Sequence, residues 1–461
     1  MARNPFLCGV VEGFYGRPWS AAQREQLFTW MKSWAMNTYI YAPKDDLKHR
    51  LLWRQLYSEE EAAGLKQLIR NCHAKGLRFV YGIAPGLDLA YSSANDGSRL
   101  RRKADQMMDL GCRDFAIAFD DIQLALPPED ARKFDSIADA QCSVTHLFMN
   151  HARGRIPDAA LFFCPTEYCE RMSGPVRHSN YLRQLGKQLD SSIQIFWTGP
   201  DIVSETITAE SMLELQRVLR RKPVIWDNLH ANDYDLRRLY LGPYSGRPPE
   251  LRDEIAGILS NPNCEFHANY IPLRTLAMFA RAAGRWNPEK AYKTALKGWL
   301  THWHAHPGWE ITIQELETLC DCFYLPFGHG RFAGNFLEDL QCLTSSRLQK
   351  ESGAFRRLDK ACAELIGLCD KITALKNRDL LFSVYRQTWE LKEEVVLLQK
   401  YLTWIGATAR SGQSFATPDR KPGIYRGGFV AELQQWLPMS NQGHFRHRPP
   451  PGANDDPLNG P

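Results

Sequence analysis

The sequence predicts an α/β protein in which a (β/α)8 TIM barrel is followed by an α-helical bundle. Three observations carry this. Eight short apolar runs, separated by segments of helical period, fill the first two-thirds of the chain. Their starts lie about 30 to 47 residues apart, room for one crossover helix and two loops each. Polar residues, Gly or Pro close nearly every run at its C-terminal end, where barrel enzymes assemble their sites. An open, doubly wound sheet is the rival arrangement, and the third observation favours the barrel over it.

The runs begin at Phe6 (FLCGVVEG), Asn37 (NTYIYAP), Arg78 (RFVYGIAP), Asp114 (DFAIAFDD), Leu161 (LFFCPT), Ile193 (IQIFWTG), Pro223 (PVIWDN) and Glu265 (EFHANY). Near Pro307 the pattern changes, and after Gln314 long helices are expected. Leu358, Cys362, Leu365, Cys369 and Ile372 repeat at steps of four and three, which places them on one helical face. Val384, Thr388, Leu391, Val395, Leu398, Leu402 and Ile405 do the same, so two helices are expected to pair antiparallel about Lys376 and Asn377. A short amphipathic stretch, Gly428 to Leu437, precedes a tail rich in Pro, Gly, Asn and Asp. The expected division is a barrel over 1–306, a helical stalk over 307–439 and a disordered tail over 440–461.

Composition narrows the class of function without choosing it. A chain of 461 residues exceeds the roughly 250 to 300 at which a single core stops growing. The formal charge of +5, from 57 basic and 52 acidic residues, provides no strong field for nucleic acid. No apolar stretch approaches the roughly 20 residues of a membrane helix. Twelve cysteines without a compact framework, and no signal peptide ahead of Phe6, suit a reduced, cytoplasmic setting. His302, His304 and His306 alternate but lack a carboxylate arrangement or HExxH spacing, so no metal is expected. Gly9, Gly13 and Gly16 do not make a GxGxxG fingerprint.

The residues that carry chemistry are Asp120 and Asp121, which follow the apolar stretch Phe115 to Phe119. An Asp-Asp pair is common at helix caps and exposed turns. At the rim of a barrel, however, two neighbouring carboxylates separate their proton affinities, a split useful for acid/base work. Adjacency also constrains mechanism. A two-carboxylate retaining glycosidase sets acid and nucleophile about 5 Å apart on opposite sides of the bond, which neighbours on one strand do not easily achieve. They can serve a reaction in which the substrate supplies its own nucleophile.

GVVEGFYGRPW from Gly9, YAPKDD from Tyr41, FAIAFDDI from Phe115, PTEYC from Pro165, WTGP from Trp197 and VIWDNLHANDYD from Val224 occur in order. NPNCEFHANY from Asn261, FYLPFGHG from Phe323 and YRGGFVAELQQWLP from Tyr425 follow. Together these motifs closely resemble glycoside hydrolase family 84, the O-GlcNAcases, in a compact form with a helical stalk and without an acetyltransferase-like domain.

The resemblance implies a retaining hydrolase that removes O-linked N-acetylglucosamine from Ser or Thr of proteins through an oxazoline, without a cofactor. Asp120 then orients and deprotonates the acetamido N–H, and Asp121 is the general acid and later the base. Tyr168 donates to the acetamido carbonyl, Asn228 supports the amide, and Trp226 forms an aromatic wall. The Gly13 backbone, Lys44, Asp233 and Asn261 hold the sugar hydroxyls. Trp389 helps cover a peptide cleft, and the stalk forms a homodimer.

Each of these residues also has an ordinary structural reading. For Lys44 it is an ion pair with Asp45 or Asp46, for Asp233 a helix cap, for Asn261 an Asn-Pro turn, and for Tyr15, Trp226 and Trp389 simple packing. Cys164 and Cys169 bracket a site loop, which allows thiol sensitivity, although buried free cysteines are the commoner case. A hexosaminidase acting on hyaluronan-like or cell-wall glycans, and a glycan-binding scaffold without turnover, are the alternatives to the protein-directed hydrolase.

Overall fold

The structure, a computed structural model, describes residues 6–345, 353–408, 415 and 425–437. The tail expected over 440–461 lies outside the described residues. Eight parallel strands close into a barrel in sequence order: β1 (Leu7–Glu12), β2 (Thr38–Tyr41), β3 (Arg78–Ile83), β4 (Asp114–Ala118), β5 (Leu161–Cys164), β6 (Gln194–Trp197), β7 (Val224–Asp227) and β8 (Gly257–Ser260). Closure is the pairing of Leu7 to Val10 with Gly257 to Ser260. The (β/α)8 class expected from periodicity is therefore the observed one.

Local chemistry starts the crossover helices. Ser20, Ser58, Ser93, Ser136, Ser179 and Thr208 each accept the backbone N–H three residues on, at the heads of helices Ala21–Ser33, Glu59–Ala74, Ala94–Asp109, Ile137–Arg155, Asn180–Gln188 and Ala209–Leu219. Alternation along the strands then separates two layers. Val11, Ile40, Val80, Ala116, Phe162, Phe196, Val224 and Leu259 belong to one buried cluster within the barrel. Their strand neighbours pack outward on helices, as in Tyr39 against Phe28 (ring centroids 5.0 Å apart) and Phe115 against Phe148 (5.4 Å).

One strand is not where the sequence pattern placed it. The run at Glu265 is not strand: Phe266–Asn269 forms a 3-10 turn that runs into helix Tyr270–Arg281. The eighth strand is the shorter Gly257–Ser260, after a single helical turn, Leu251–Glu254. The β7 to β8 crossover lacks a full helix, so a rule of one helix per crossover shifts the strand downstream. Gly257 suits this strand because a Cβ there would lie 2.3 Å from the Leu7 side chain and 2.4 Å from its carbonyl oxygen. Asn261 and Pro262 end it, since proline cannot donate to the ladder.

The chain divides into two compact units, the first holding 1–234, 243–266 and 272–291, the second 235–242, 267–271 and 292–461. In the second unit helices Gly353–Thr373 and Arg378–Thr408 pack on each other. Leu358, Cys362, Leu365, Cys369 and Ile372 on one, and Val384, Thr388, Leu391, Val395, Leu398 and Leu402 on the other, are buried as their spacing predicted. Arg426 binds Glu393 and Glu394 and so ties the segment leading into helix Gly428–Trp436 to the long helix.

Among the described residues no helix is long and apolar enough to cross a membrane, and no three His, Cys, Asp or Glu are grouped to hold a metal. No disulfide joins cysteines among the described residues.

Candidate active site

A cavity of about 280 Å³ opens at the C-terminal ends of the strands, near the lower end of the roughly 300 to 1,000 Å³ typical of small-ligand sites. Gly13 follows β1, Lys44 follows β2, Asp120 and Asp121 follow β4, Tyr168 follows β5, Trp226 and Asn228 straddle the end of β7, and Asn261 follows β8. All of them line this cavity, as does Asp233. Trp389 belongs to the second unit, where it is 45% exposed and stacks on Tyr385.

Side chains of successive strand residues face opposite sides, so two neighbours should not reach one pocket. The backbone resolves this. Phe119 N–H still donates to the Cys164 carbonyl (2.9 Å), which extends the β4 ladder by one residue. Asp121 then turns to φ +54°, a left-handed conformation in which Asp and Asn are the commoner non-glycine residues. The turn leaves Asp120 buried and Asp121 exposed, both on the cavity.

The two carboxylates have different surroundings. Asp120 Oδ2 accepts from the Lys44 ammonium, and its Oδ1 is buried without a hydrogen-bond partner. Burial alone would raise this carboxyl. The Lys44 ammonium, and after it Arg50, outweigh burial and hold it below the ordinary carboxylate range. Asp121 accepts two phenols, from Tyr168 at Oδ1 (2.9 Å) and from Tyr15 at Oδ2 (2.8 Å), and its backbone carbonyl accepts from Arg50 (3.3 Å). Burial, then Asp121, raises both phenols well above their ordinary value, so both remain donors.

The rest of the wall is set by β7 and β8. Asn261 Nδ2 donates to Asn228 Oδ1 (3.0 Å), and Asn228 Nδ2 donates to the Ile202 carbonyl (2.8 Å). Asn261 Oδ1 is buried and unpartnered. Beneath them lies an ion pair, Asp227 with Arg247 at 2.8 Å, both side chains essentially without exposure. Arg247 also donates to the Ser204 and Glu205 carbonyls and thereby ties β7 to the loop that carries Ile202 and Val203. Trp226 points into the barrel, meets Phe196 edge-on (5.4 Å, 90°) and forms a pocket wall, so it is both core and site.

The ordinary structural readings of three residues fail. Lys44 pairs with Asp120, while Asp45 accepts from Gly16 N–H and Asp46 from Tyr41 and Tyr57. Asp233 accepts the Tyr15 N–H (2.9 Å) across 218 residues and caps no helix. Asn261 ends β8. Tyr15, which could have been a packing aromatic, is 42% exposed and bonded to Asp121. Sequence reasoning missed Thr198, Ile202, Val203, Ala231 and Tyr234 on the wall. The WTGP motif ahead of Ile202 was the available signal. Cys164 lines the cavity but is buried, as is Cys169, and burial raises both thiols, in line with the commoner case of buried free cysteines rather than thiol sensitivity.

Gly13 has a steric reason to be glycine, because a Cβ there would lie 2.4 Å from the Trp226 ring. Gly13→Ala is expected to displace Trp226 and to cost about 1–3 kcal/mol of stability from overpacking. Thermal unfolding, with kcat/KM measured alongside, checks this; an unchanged melting temperature and unchanged kcat/KM would contradict it.

A family model described as beta-N-acetylglucosaminidase matches residues 8–307. Protein O-GlcNAcase of Rattus norvegicus and that of Mus musculus are each 29% identical to this chain over 97% of it and 71% of the relative. A solved structure of a mutant O-GlcNAc hydrolase from Thermobaculum terrenum is 30% identical with a TM-score of 0.77, covering 88% of this chain and 85% of that one.

Proposed function

Because the chain belongs to the beta-N-acetylglucosaminidase family of glycoside hydrolases, we propose that it removes O-linked N-acetylglucosamine from Ser or Thr of proteins with retention, the substrate's own acetamide acting as nucleophile. The observation that carries the reading is the split pair, one buried carboxylate held anionic by Lys44 beside one exposed carboxylate held by phenols.

In this reading Asp120 Oδ1 accepts the acetamido N–H and takes up its proton as the carbonyl oxygen attacks the anomeric carbon. Asp121 gives its proton to the departing Ser or Thr oxygen as the glycosidic bond breaks, leaving an oxazoline. Asp121 next removes a proton from water, which opens the oxazoline from the face the protein left. Asp120 returns the amide proton, and the sugar leaves with its original configuration. Tyr168 exchanges Asp121 for the acetamido carbonyl as the sugar enters, and Asn228 supports the amide. Trp226 walls the N-acetyl group. Lys44, Asp233, Asn261 and the Gly13 backbone pair with the hydroxyls, and a missing partner would leave them unsatisfied. Residues 1–306 supply this chemistry and need no metal or cofactor for it; 307–439 form the stalk.

The test is release of N-acetylglucosamine from an O-GlcNAc peptide, with the anomer identified by proton NMR. Initial β-product supports the reading; initial α-product, or faster turnover of hyaluronan or cell-wall fragments than of the glycopeptide, overturns it.

Asp120 acts as an anion, so activity is present above its depressed value and lost as pH falls through it. Lys44→Met removes the main depressing charge and is expected to move the acidic limb of kcat/KM to higher pH. A pH profile with an unmoved limb would contradict the assignment.

The stalk is read as the dimer element. Phe382, Tyr385 and Trp389 stand exposed at steps of three and four on helix Arg378–Thr408, a row that suits a second copy, with Trp389 then near a peptide cleft. Light scattering at micromolar concentration is expected to give twice the chain mass; a monomer would argue against it.

A further inference from the structure

Arg50, in the loop after β2, is a buried cation that makes no close ion pair of its own among the described residues. Its Nη2 donates to the Asp121 backbone carbonyl (3.3 Å), its Nη1 is buried without a partner, and its guanidinium lies 6.0 Å over the Tyr15 ring. An uncompensated buried charge is costly, so its field must be balanced by nearby anions. Asp120 is such an anion, within the guanidinium's electrostatic reach, and the Asp121 backbone carbonyl takes the guanidinium's hydrogen bond.

Resting on the hydrolase reading above, we infer that Arg50 is a positioning residue for the reaction. Its guanidinium holds the Asp121 carbonyl, and with it the left-handed turn that brings both carboxylates to one pocket, while its charge offsets that of Asp120. Lys44 bonds the Asp120 carboxylate directly, whereas Arg50 bonds the Asp121 carbonyl and acts on Asp120 through space. The other titratable groups facing Asp120 are Asp121, His49 of the same loop, Tyr15 after β1, and Cys164 and Tyr168 at and after β5. Burial drives His49 down to about 4, so it is neutral in the working range and leaves the balance to Lys44 and Arg50.

The experiment compares Arg50→Met and Arg50→Lys with the parent protein, measuring kcat and KM for an aryl β-N-acetylglucosaminide across pH. Arg50→Met is expected to lower kcat by about tenfold to a hundredfold with little change in KM, and to shift the acidic limb upward by about one pH unit. Arg50→Lys keeps the charge but not the planar donor, so the limb stays while kcat falls. Unchanged kcat and limb in Arg50→Met overturn the proposal, as does an equal loss in both variants with the limb unmoved, the mark of a merely structural role. Should Arg50→Met not fold, Arg50→Gln takes its place under the same criteria. The Asp120 midpoint, followed by the ¹³C shift of its carboxyl, reads the charge effect without turnover. A parent protein that hydrolyses nothing therefore sinks the hydrolase reading, while an unmoved midpoint sinks the role of Arg50.

Discussion

Asp120→Asn and Asp121→Asn are each expected to abolish most turnover while the barrel survives, and to do so in distinguishable ways. Asparagine at 121 cannot protonate the leaving oxygen or activate water, a loss of about 10² to 10⁴ in rate for substrates with a poor leaving group. A nitrophenol leaves without a proton, so the first step recovers on an aryl glycoside, and azide, which needs no base, restores the second. Asparagine at 120 removes the anion that accepts the acetamido proton and leaves Lys44 and Arg50 facing no buried counter-charge. Neither azide nor a better leaving group repairs that, and the expected loss is about 10² to 10³. Kinetics on a glycopeptide and a nitrophenyl glycoside, with and without azide, check both. Near-parental rates of either variant on the glycopeptide without azide, or azide rescue of Asp120→Asn, would overturn the division of labour.

The second large effect is on stability. Arg247 and Asp227 are paired with almost no exposure, and Asp227 also accepts from Tyr244 (2.7 Å) and from Leu229 N–H (3.1 Å). Arg247→Met strands a buried carboxylate and frees the Ser204 and Glu205 carbonyls, and breaking such a pair from one side costs about 3–5 kcal/mol. Because Asp227 immediately precedes Asn228, and the freed loop carries Ile202 and Val203, kcat/KM should fall as well. Denaturant unfolding gives the stability change. The double replacement Arg247→Met with Asp227→Leu removes both charges and is expected to recover part of the loss. A double variant as unstable as the sum of the singles would assign the effect to packing instead.

Much of the fold was legible along the chain. Seven of the eight apolar runs overlap observed strands, and the two stalk faces read from steps of three and four are buried, apart from Ile405, whose side chain lies outside the described residues. These are short-range signals, set by the period of the backbone and by which residues end a strand or cap a helix, and they need no knowledge of partners. The eighth strand escaped because its crossover has only one helical turn, so the local pattern pointed to Phe266 and its neighbours instead.

The site divides along the same line. That Gly13, Lys44, Tyr168, Trp226, Asn228, Asp233 and Asn261 belong with the aspartates near one rim was implied by the resemblance that the motifs carry, and only the aspartates stood out by their place after an apolar run; all of them line one cavity. Which of them touch was decided only in three dimensions. Lys44 meets Asp120 across 76 residues, Tyr15 meets Asp121 across 106, and Asp233 meets the Tyr15 backbone across 218. The left-handed turn at Asp121 and the unpaired charge of Arg50 have no periodic signature at all. Closing the barrel brings the eight strand ends into a ring, and only then do charges far apart in the chain come close enough for Lys44 and Arg50 to hold Asp120 below the ordinary carboxylate range.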